Sequence, residues 1–219
     1  CAVNRYVRTT LTMGFLLLLL GCGTRPGETA NRLNKEQAAA IGEIQRLGGK
    51  VTFNEKAAGK PVYGVDFSET HIGDDALRTV EGLTELKVLI IAHTQVTDGG
   101  LEHIEQLTQL RALHLEDTRV TDTGLEHVKP LAHLETLGLD NTQVTDAGLK
   151  QIGGLVELIR LGLDDTRITD EGLKHLNGLK ALERLSTIGT QVTPAGRKEL
   201  KQALPNLRVL FPKDDGDQP

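Results

Sequence analysis

The segment Thr-x-Val/Ile-Thr-Asp-x-Gly-Leu returns every 24 residues, beginning at Thr94, Thr118, Thr142 and Thr166, with degenerate copies beginning at Thr70 and Thr190. A fixed period of this length restricts the chain to folds made by stacking one supersecondary unit on the next. Between the copies the leucines follow Leu-x-x-Leu-x-x-Leu-x-Leu-x-x-Thr, as in Leu107, Leu110, Leu113, Leu115, Thr118 and its equivalents ending at Thr142 and Thr166. The Leu-x-Leu piece alternates at period 2, as a strand with one buried face does. Leu101, Ile104, Leu107 and Leu125, Val128, Leu131 are spaced by 3, as on one helix face. Each unit is therefore read as one short strand plus one short helix. A unit of 24 residues cannot bury its own leucines, so neighbours must share a continuous core, worth roughly 1.5–3 kcal/mol per fully buried Leu or Ile.

The expected fold is an α/β solenoid, with a parallel strand ladder on one curved face and short helices on the other. Thr97, Thr121, Thr145 and Thr169 precede an acidic residue and a helical run, as N-caps do, and the following Asp suits the positive helix end. Pro194 after Thr193 fits the same register, because proline is tolerated best at the first helical position. Gly100, Gly124, Gly148, Gly172 and Gly196 share one column, in which the first copy carries Ala76. Close packing therefore explains the column better than a need for positive φ.

This pattern resembles the leucine-rich repeat superfamily over about residues 60–210. The Thr-Asp-x-Gly-Leu step is similar to the subclass found in F-box leucine-rich repeat proteins, ribonuclease-inhibitor-like proteins and many bacterial repeat proteins. Where the family has Asn after the strand, this chain has Thr70, Thr94, Thr118, Thr142, Thr166 and Thr190. Their hydroxyls can still bond backbone groups in the turn.

Solenoids need caps over their terminal cores. Residues 34–67 read as an N-terminal helix-hairpin cap. Asn34-x-x-Gln37 resembles a capping box, opening a helix with Ala40, Ile41, Ile44 and Leu47 on one face, closed by Gly48 and Gly49. Two strands follow, 50–53 and 61–67. Residues 68–189 are the repeats, and 190–212 the C-terminal cap, shifted by one residue in its Leu204 and Leu207, with Leu207, Val209 and Phe211 as a closing strand. The acidic tail 213–219 is expected to be disordered.

Residues 1–21 differ in kind. Arg5 and Arg8 precede an apolar run from Leu11 to Leu20, too short to span a bilayer but suited to a signal-peptide core. The chain opens with Cys1 rather than Met, so its true start is expected to lie upstream or to be misassigned. The run ends in Leu19-Leu20-Gly21-Cys22, which resembles the bacterial lipobox. That resemblance implies lipidation of Cys22 and a lipid-anchored linker over 22–33, with the protein held in the bacterial cell envelope; two or three acyl chains hold where one does not. The alternative is a cleaved leader with an incidental cysteine. Cys1 and Cys22 are the only cysteines, so the repeats hold neither a disulfide framework nor a cysteine zinc site. Removing residues 1–21 takes away Arg5 and Arg8 alone and leaves 23 basic against 30 acidic side chains. No basic face is evident, and nucleic acid is not expected as a partner.

Solenoids of this kind bind through the strand face. Aligning the copies sets Ser68, Ala92, Glu116, Asp140, Asp164 and Ile188 in one column, with Glu69, His93, Asp117, Asn141, Asp165 and Gly189 beside it. Strands lie about 4.8 Å apart, and like charges at that distance repel by roughly 1 kcal/mol even in water. The carboxylates are read either as a solvated acidic face or as a patch for a basic partner or cation. Arg160 and Arg184 add polar edges near the strand starts. The candidate partner-binding residues are thus His93, His114, Glu116, Asp117, Asp140, Asn141, Arg160, Asp164, Asp165 and Arg184. His103, His127 and His175 share a column on the helical side, but Gln151 interrupts it and no metal is expected. His114 and Glu116 make a conceivable acid/base couple without a nucleophile or phosphate loop beside it, so no enzymatic activity and no cofactor are expected. The function expected is a monomeric, membrane-anchored, non-enzymatic scaffold for a protein or peptide. The alternative that the repeat subclass implies is a substrate-recognition subunit of a ubiquitin ligase, although an F-box needs more helical sequence than precedes these repeats.

Overall fold

The computed structural model describes residues 26–210. The chain divides into two compact units, Cys1–Lys35 and Glu36–Pro219. Of the first, only the opening turns of helix α1 (Pro26–Arg46) are described. The rest of α1 and everything after it belong to the second.

In the second unit the residues after α1 form a sheet of eight strands in chain order. They are β1 (Lys50–Phe53), β2 (Val62–Asp66), β3 (Val88–Ile90), β4 (Ala112–His114), β5 (Thr136–Gly138), β6 (Arg160–Gly162), β7 (Arg184–Ser186) and β8 (Arg208–Leu210). β1 and β2 are an antiparallel hairpin, and every later pairing is parallel. Val65, Leu89, Leu113, Leu137, Leu161, Leu185 and Val209 are successive partners, so the strand register is the sequence period. These residues point inward and are buried, as are the leucines and isoleucines of the helical stretches, most of them completely.

The helical stretches are brief: α2 (Asp98–Leu101), α3 (Leu125–Val128), α4 (Asp146–Ile152), α5 (Asp170–Leu173) and α6 (Pro194–Ala203), with 3-10 turns at Asp74–Val80, Glu102–Ile104 and Lys174–Leu176. Runs of one or two turns gain little from helix propagation, so packing rather than propensity holds them. In the first copy Gly73 replaces the capping threonine, no side chain caps the stretch, and it winds as a 3-10 helix.

One sequence expectation needs correction here. α1 starts at Pro26, not at Asn34, which lies inside it. Proline suits a first turn, and the Glu, Ala, Arg, Leu and Lys that follow carry the helix through Asn34. The stretch 26–33, part of the expected linker, is accordingly helical. At the C-terminus the one-residue shift runs from the end of α6 through the turn at Leu204 and Leu207 and is lost before β8, because Leu185 still pairs with Val209. Phe211 and the tail lie outside the described residues.

The end of α1 follows expectation. Gly48 has φ +87°, its N–H donates to the Gln45 carbonyl, and the Gly49 N–H donates to that of Ile44 at 2.9 Å. This is a Schellman closure, and it needs a residue that accepts the left-handed conformation. Ile44 is fully buried, with Ala40, Ile41 and Leu47 packed on the same core. Among the described residues no helix is long and apolar enough to cross a membrane.

Candidate binding face

Two lines of side-chain bonds join one repeat to the next, and they decide which polar groups remain for a partner. The first lies beside the helices. Asp74 accepts the Thr97 backbone N–H at 2.7 Å on one oxygen and the Thr97 hydroxyl at 2.7 Å on the other. Asp98 does the same for Thr121, Asp122 for Thr145, Asp146 for Thr169 and Asp170 for Thr193, with every bond between 2.6 and 2.8 Å. The capping bonds that these threonines accept within their own repeats are longer, 3.2–3.4 Å. The Asp expected to favour its own helix end therefore also holds the next repeat, through charge-assisted bonds. The glycine column follows from this. A β-carbon at Gly100 would stand 2.8 Å from Asp74 Oδ1, and at Gly148 2.5 Å from Asp122 Oδ1. Ala76 is allowed in the first copy because no Asp-bearing repeat precedes it; the chain there is the antiparallel hairpin β1–β2.

The second line lies at the strand ends. Asp140 Oδ1 accepts the Asp164 N–H at 2.7 Å, and Asp164 Oδ1 accepts the Ile188 N–H at 2.7 Å and the Ser186 hydroxyl at 2.5 Å. Glu116 meets the His114 ring at 2.8 Å, and its carboxylate rests on Gly138, where any side chain would collide with it. Glu116 Oε2 is buried without a hydrogen-bond partner among the described residues. Partial burial acts to raise the Glu116 carboxyl, but the bonds from His114 and its own backbone outweigh it and hold it below the usual value. The bond to Glu116 raises the His114 imidazole against its own partial burial. Asp140 is raised by partial burial, opposed by the Asp164 N–H and assisted by the charges of Asp164 and Glu116. The mid-array carboxylates thus have structural work that requires no basic partner.

The neighbouring column has a backbone cause. Glu69, His93, Asp117, Asn141 and Asp165 all take φ between 52° and 58°, and Gly189 takes 73°. Asn, Asp and Gly enter that left-handed region most readily, so their presence there is not by itself a sign of binding. Asp117 bonds His93 at 3.0 Å and accepts from the Asn141 side-chain amide. On the helical side His103 meets Glu81 at 2.6 Å and His127 meets Glu105 at 2.5 Å, again across repeats. Among the described residues no group of three or more His, Cys, Asp or Glu is arranged to hold a metal.

Arg160 and Arg184 are placed differently. They open β6 and β7, face outward beside buried Leu161 and Leu185, and are exposed. Arg208 opens β8 in the same register, and the sequence reading left it out because the shift of Leu204 and Leu207 just before it hid the unbroken strand period. Counting 24 residues on from Arg184 finds it. Arg160 Nε donates to the Thr136 hydroxyl at 3.1 Å. Arg184 and Arg208 line a cavity of about 390 Å³ with Glu183 and Asn206. Among the described residues none of the three arginines makes an ion pair. Cys22 lies outside the described residues.

A family profile described as a leucine-rich repeat region matches residues 70–216. No curated protein matches. Among solved structures, a repeat protein of Leptospira interrogans is similar at 28% identity and a TM-score of 0.51, over 61% of this chain and 33% of that one. An internalin of Listeria monocytogenes is similar at 19% identity and a TM-score of 0.52, over 71% and 48%. The ectodomain of an Arabidopsis thaliana membrane receptor kinase, solved in complex with Casparian strip integrity factor 2, is similar at 18% identity and a TM-score of 0.50, over 74% and 22%. This chain spans a third to a half of the length of the first two.

Proposed function

As the chain belongs to the leucine-rich repeat family, we propose that it is a non-enzymatic scaffold that binds a protein or peptide through the outward face of β3–β8. The observation that carries this reading is a contrast within the strands. The inward position is Leu in β3–β7 and Val in β8, whereas the outward positions change from repeat to repeat: Val88 and Ile90, Ala112 and His114, Thr136 and Gly138, Arg160 and Gly162, Arg184 and Ser186, Arg208 and Leu210. A surface that varies on a constant core is what a recognition face consists of, and it leaves the ligand to the variable residues. The receptor ectodomain similar in fold was solved with a bound partner, which supports the same use here.

A photo-crosslinking residue tests the reading. At Thr136, on the strand face, it should trap partners from the native cell extract, and at Glu102 or Lys150, on exposed helical positions, it should not. Equal trapping from both sides would sink the strand-face assignment.

We further propose that the scaffold is held at a bacterial membrane by lipid on Cys22. The support is the apolar run Leu11–Leu20 ending in Leu19-Leu20-Gly21-Cys22, and two or three acyl chains anchor stably. Palmitate analogue labelling of the full chain should be lost in Cys22→Ser. Undiminished label in that variant would refute the anchor.

A further inference from the structure

Arg160, Arg184 and Arg208 stand side by side at the starts of three consecutive strands, all outward and exposed, with no ion pair among the described residues. Parallel strands lie about 4.8 Å apart, so three guanidinium groups are held within reach of one another at a cost in mutual repulsion. The repeat does not require this. The same column holds Val88, Ala112 and Thr136 in the earlier strands, and the β-ladder runs through all of them unchanged. Some basic side chains elsewhere in the array do meet partners one repeat away, as Arg111 meets Glu135, His133 meets Glu157 and His127 meets Glu105. Glu183 shares the cavity wall with Arg184 and Arg208 but forms an ion pair with neither.

The same end of the face is also apolar. Leu210 follows Arg208 by two residues, on the same side of β8, and is 55% exposed; Ile188, just past β7, is 39% exposed. A guanidinium presents a planar fork that matches a carboxylate through two parallel bonds. A row of three such forks beside exposed Leu and Ile is complementary to an extended segment with carboxylates along one edge and an apolar side chain among them.

Resting on the strand-face reading above, we propose that the Arg160–Arg184–Arg208 row, with Leu210 and Ile188 beside it, is the docking site for an acidic peptide segment of a partner protein. The chain as a whole is acidic, at −5. Its general field therefore repels such a segment, and affinity for one reports the local row.

The probe is a fluorescein-labelled octapeptide of glutamates with a central leucine, followed by anisotropy with the full chain. The expected result is binding that weakens with added salt, at least tenfold tighter than that of the glutamine and lysine counterparts. Arg184→Ala/Arg208→Ala should weaken it at least tenfold. Lys129→Ala/Lys150→Ala removes the same charge from exposed positions off the strand face, and should leave it within twofold. Arg184→Lys/Arg208→Lys keeps the charge and loses the fork, so it should fall between them. Equal loss in the two alanine pairs would reduce the effect to net charge and overturn the proposal. Neutralising the chain's own Asp214, Asp215 and Asp217 should leave affinity within twofold; a tenfold rise would make that segment the occupant and overturn it too. If the peptide fails to bind while Thr136 still crosslinks partners, the arginine row is wrong and the strand face stands. If Thr136 crosslinks nothing, the broader reading has failed first.

Discussion

His114 and Glu116 sit two residues apart at the end of β4, and their bond moves both titrations in directions that a stability measurement can read. In the unfolded chain Glu116 titrates near 4.5 and His114 near 6.5. Folding lowers Glu116, so its contribution is complete above pH 4.5 and is lost as pH falls through the lowered folded value. Folding raises His114, so its contribution is complete below pH 6.5 and is lost as pH rises through the raised folded value. Both are whole only between those limits. The thermal midpoint of the wild type minus that of His114→Gln should therefore be greatest between about pH 4.5 and 6.5 and shrink on either side. A difference independent of pH would show that the pair is not coupled. The sequence offered the two residues as a couple, since positions two apart on a strand share a face, but not the partial burial that opposes each shift. The same limit hid the left-handed turn. The column Asp117, Asn141, Asp165, Gly189 has the composition that such a backbone favours, a cause that reading it as charge, whether solvated face or binding patch, did not reach.

At the scale of elements, the strands and most of the helical turns were legible because the periods of 2 and 3 are local properties of the chain. The bonds that join them were not, because each Asp reaches a Thr 23 residues later and nothing in either copy alone announces the pairing. The signal was present as the glycine three residues after each capping threonine, which was read as a close-packing position without the Asp that it packs against. Asp146, Thr169 and Gly172 make the point testable. Asp146→Ala removes both bonds to Thr169 and leaves its N–H without that acceptor, at a cost of about 1–2 kcal/mol. Gly172→Ala alone drives a methyl into the Asp146 carboxylate, whose Cγ lies 2.9 Å from the added β-carbon, and overpacking of this kind costs about 1–3 kcal/mol. Combined, the two should cost less than their sum by more than about 0.5 kcal/mol, since the carboxylate is no longer there to be hit. Urea unfolding of the four proteins measures this, and additive costs would mean that the glycine column has another cause.

For the whole molecule, stability in a stacked array is close to a sum over neighbours, and the core follows that rule. Buried Leu113, Leu137, Leu161 and Leu185 are equivalent links in one chain of contacts. The ends are less regular, and there the sequence was the poorer guide: α1 begins eight residues earlier than its capping signal suggested, and β8 keeps a register that the shifted Leu204 and Leu207 before it disguise. The strand face proposed for binding was legible as a face. Its division into carboxylates occupied by neighbouring repeats and arginines left open was not, since that depends on which hydrogen bonds the turns complete. The aspartate line ends in a particular way. Where the next Asp would stand after Asp98, Asp122, Asp146 and Asp170, the chain has Pro194. Every interior junction thus carries the same plug and socket, and the last unit carries a socket without a plug. An in-frame duplication of residues 146–169 would find an acceptor on both sides and lengthen the array, raising the urea m-value roughly in proportion to the surface added. The same 24 residues placed beyond α6 would find none and should leave the m-value of the cooperative transition unchanged. Such a molecule can grow by copying from its middle but not by extension at this end, so its lineage is expected to vary in repeat number while keeping its final module.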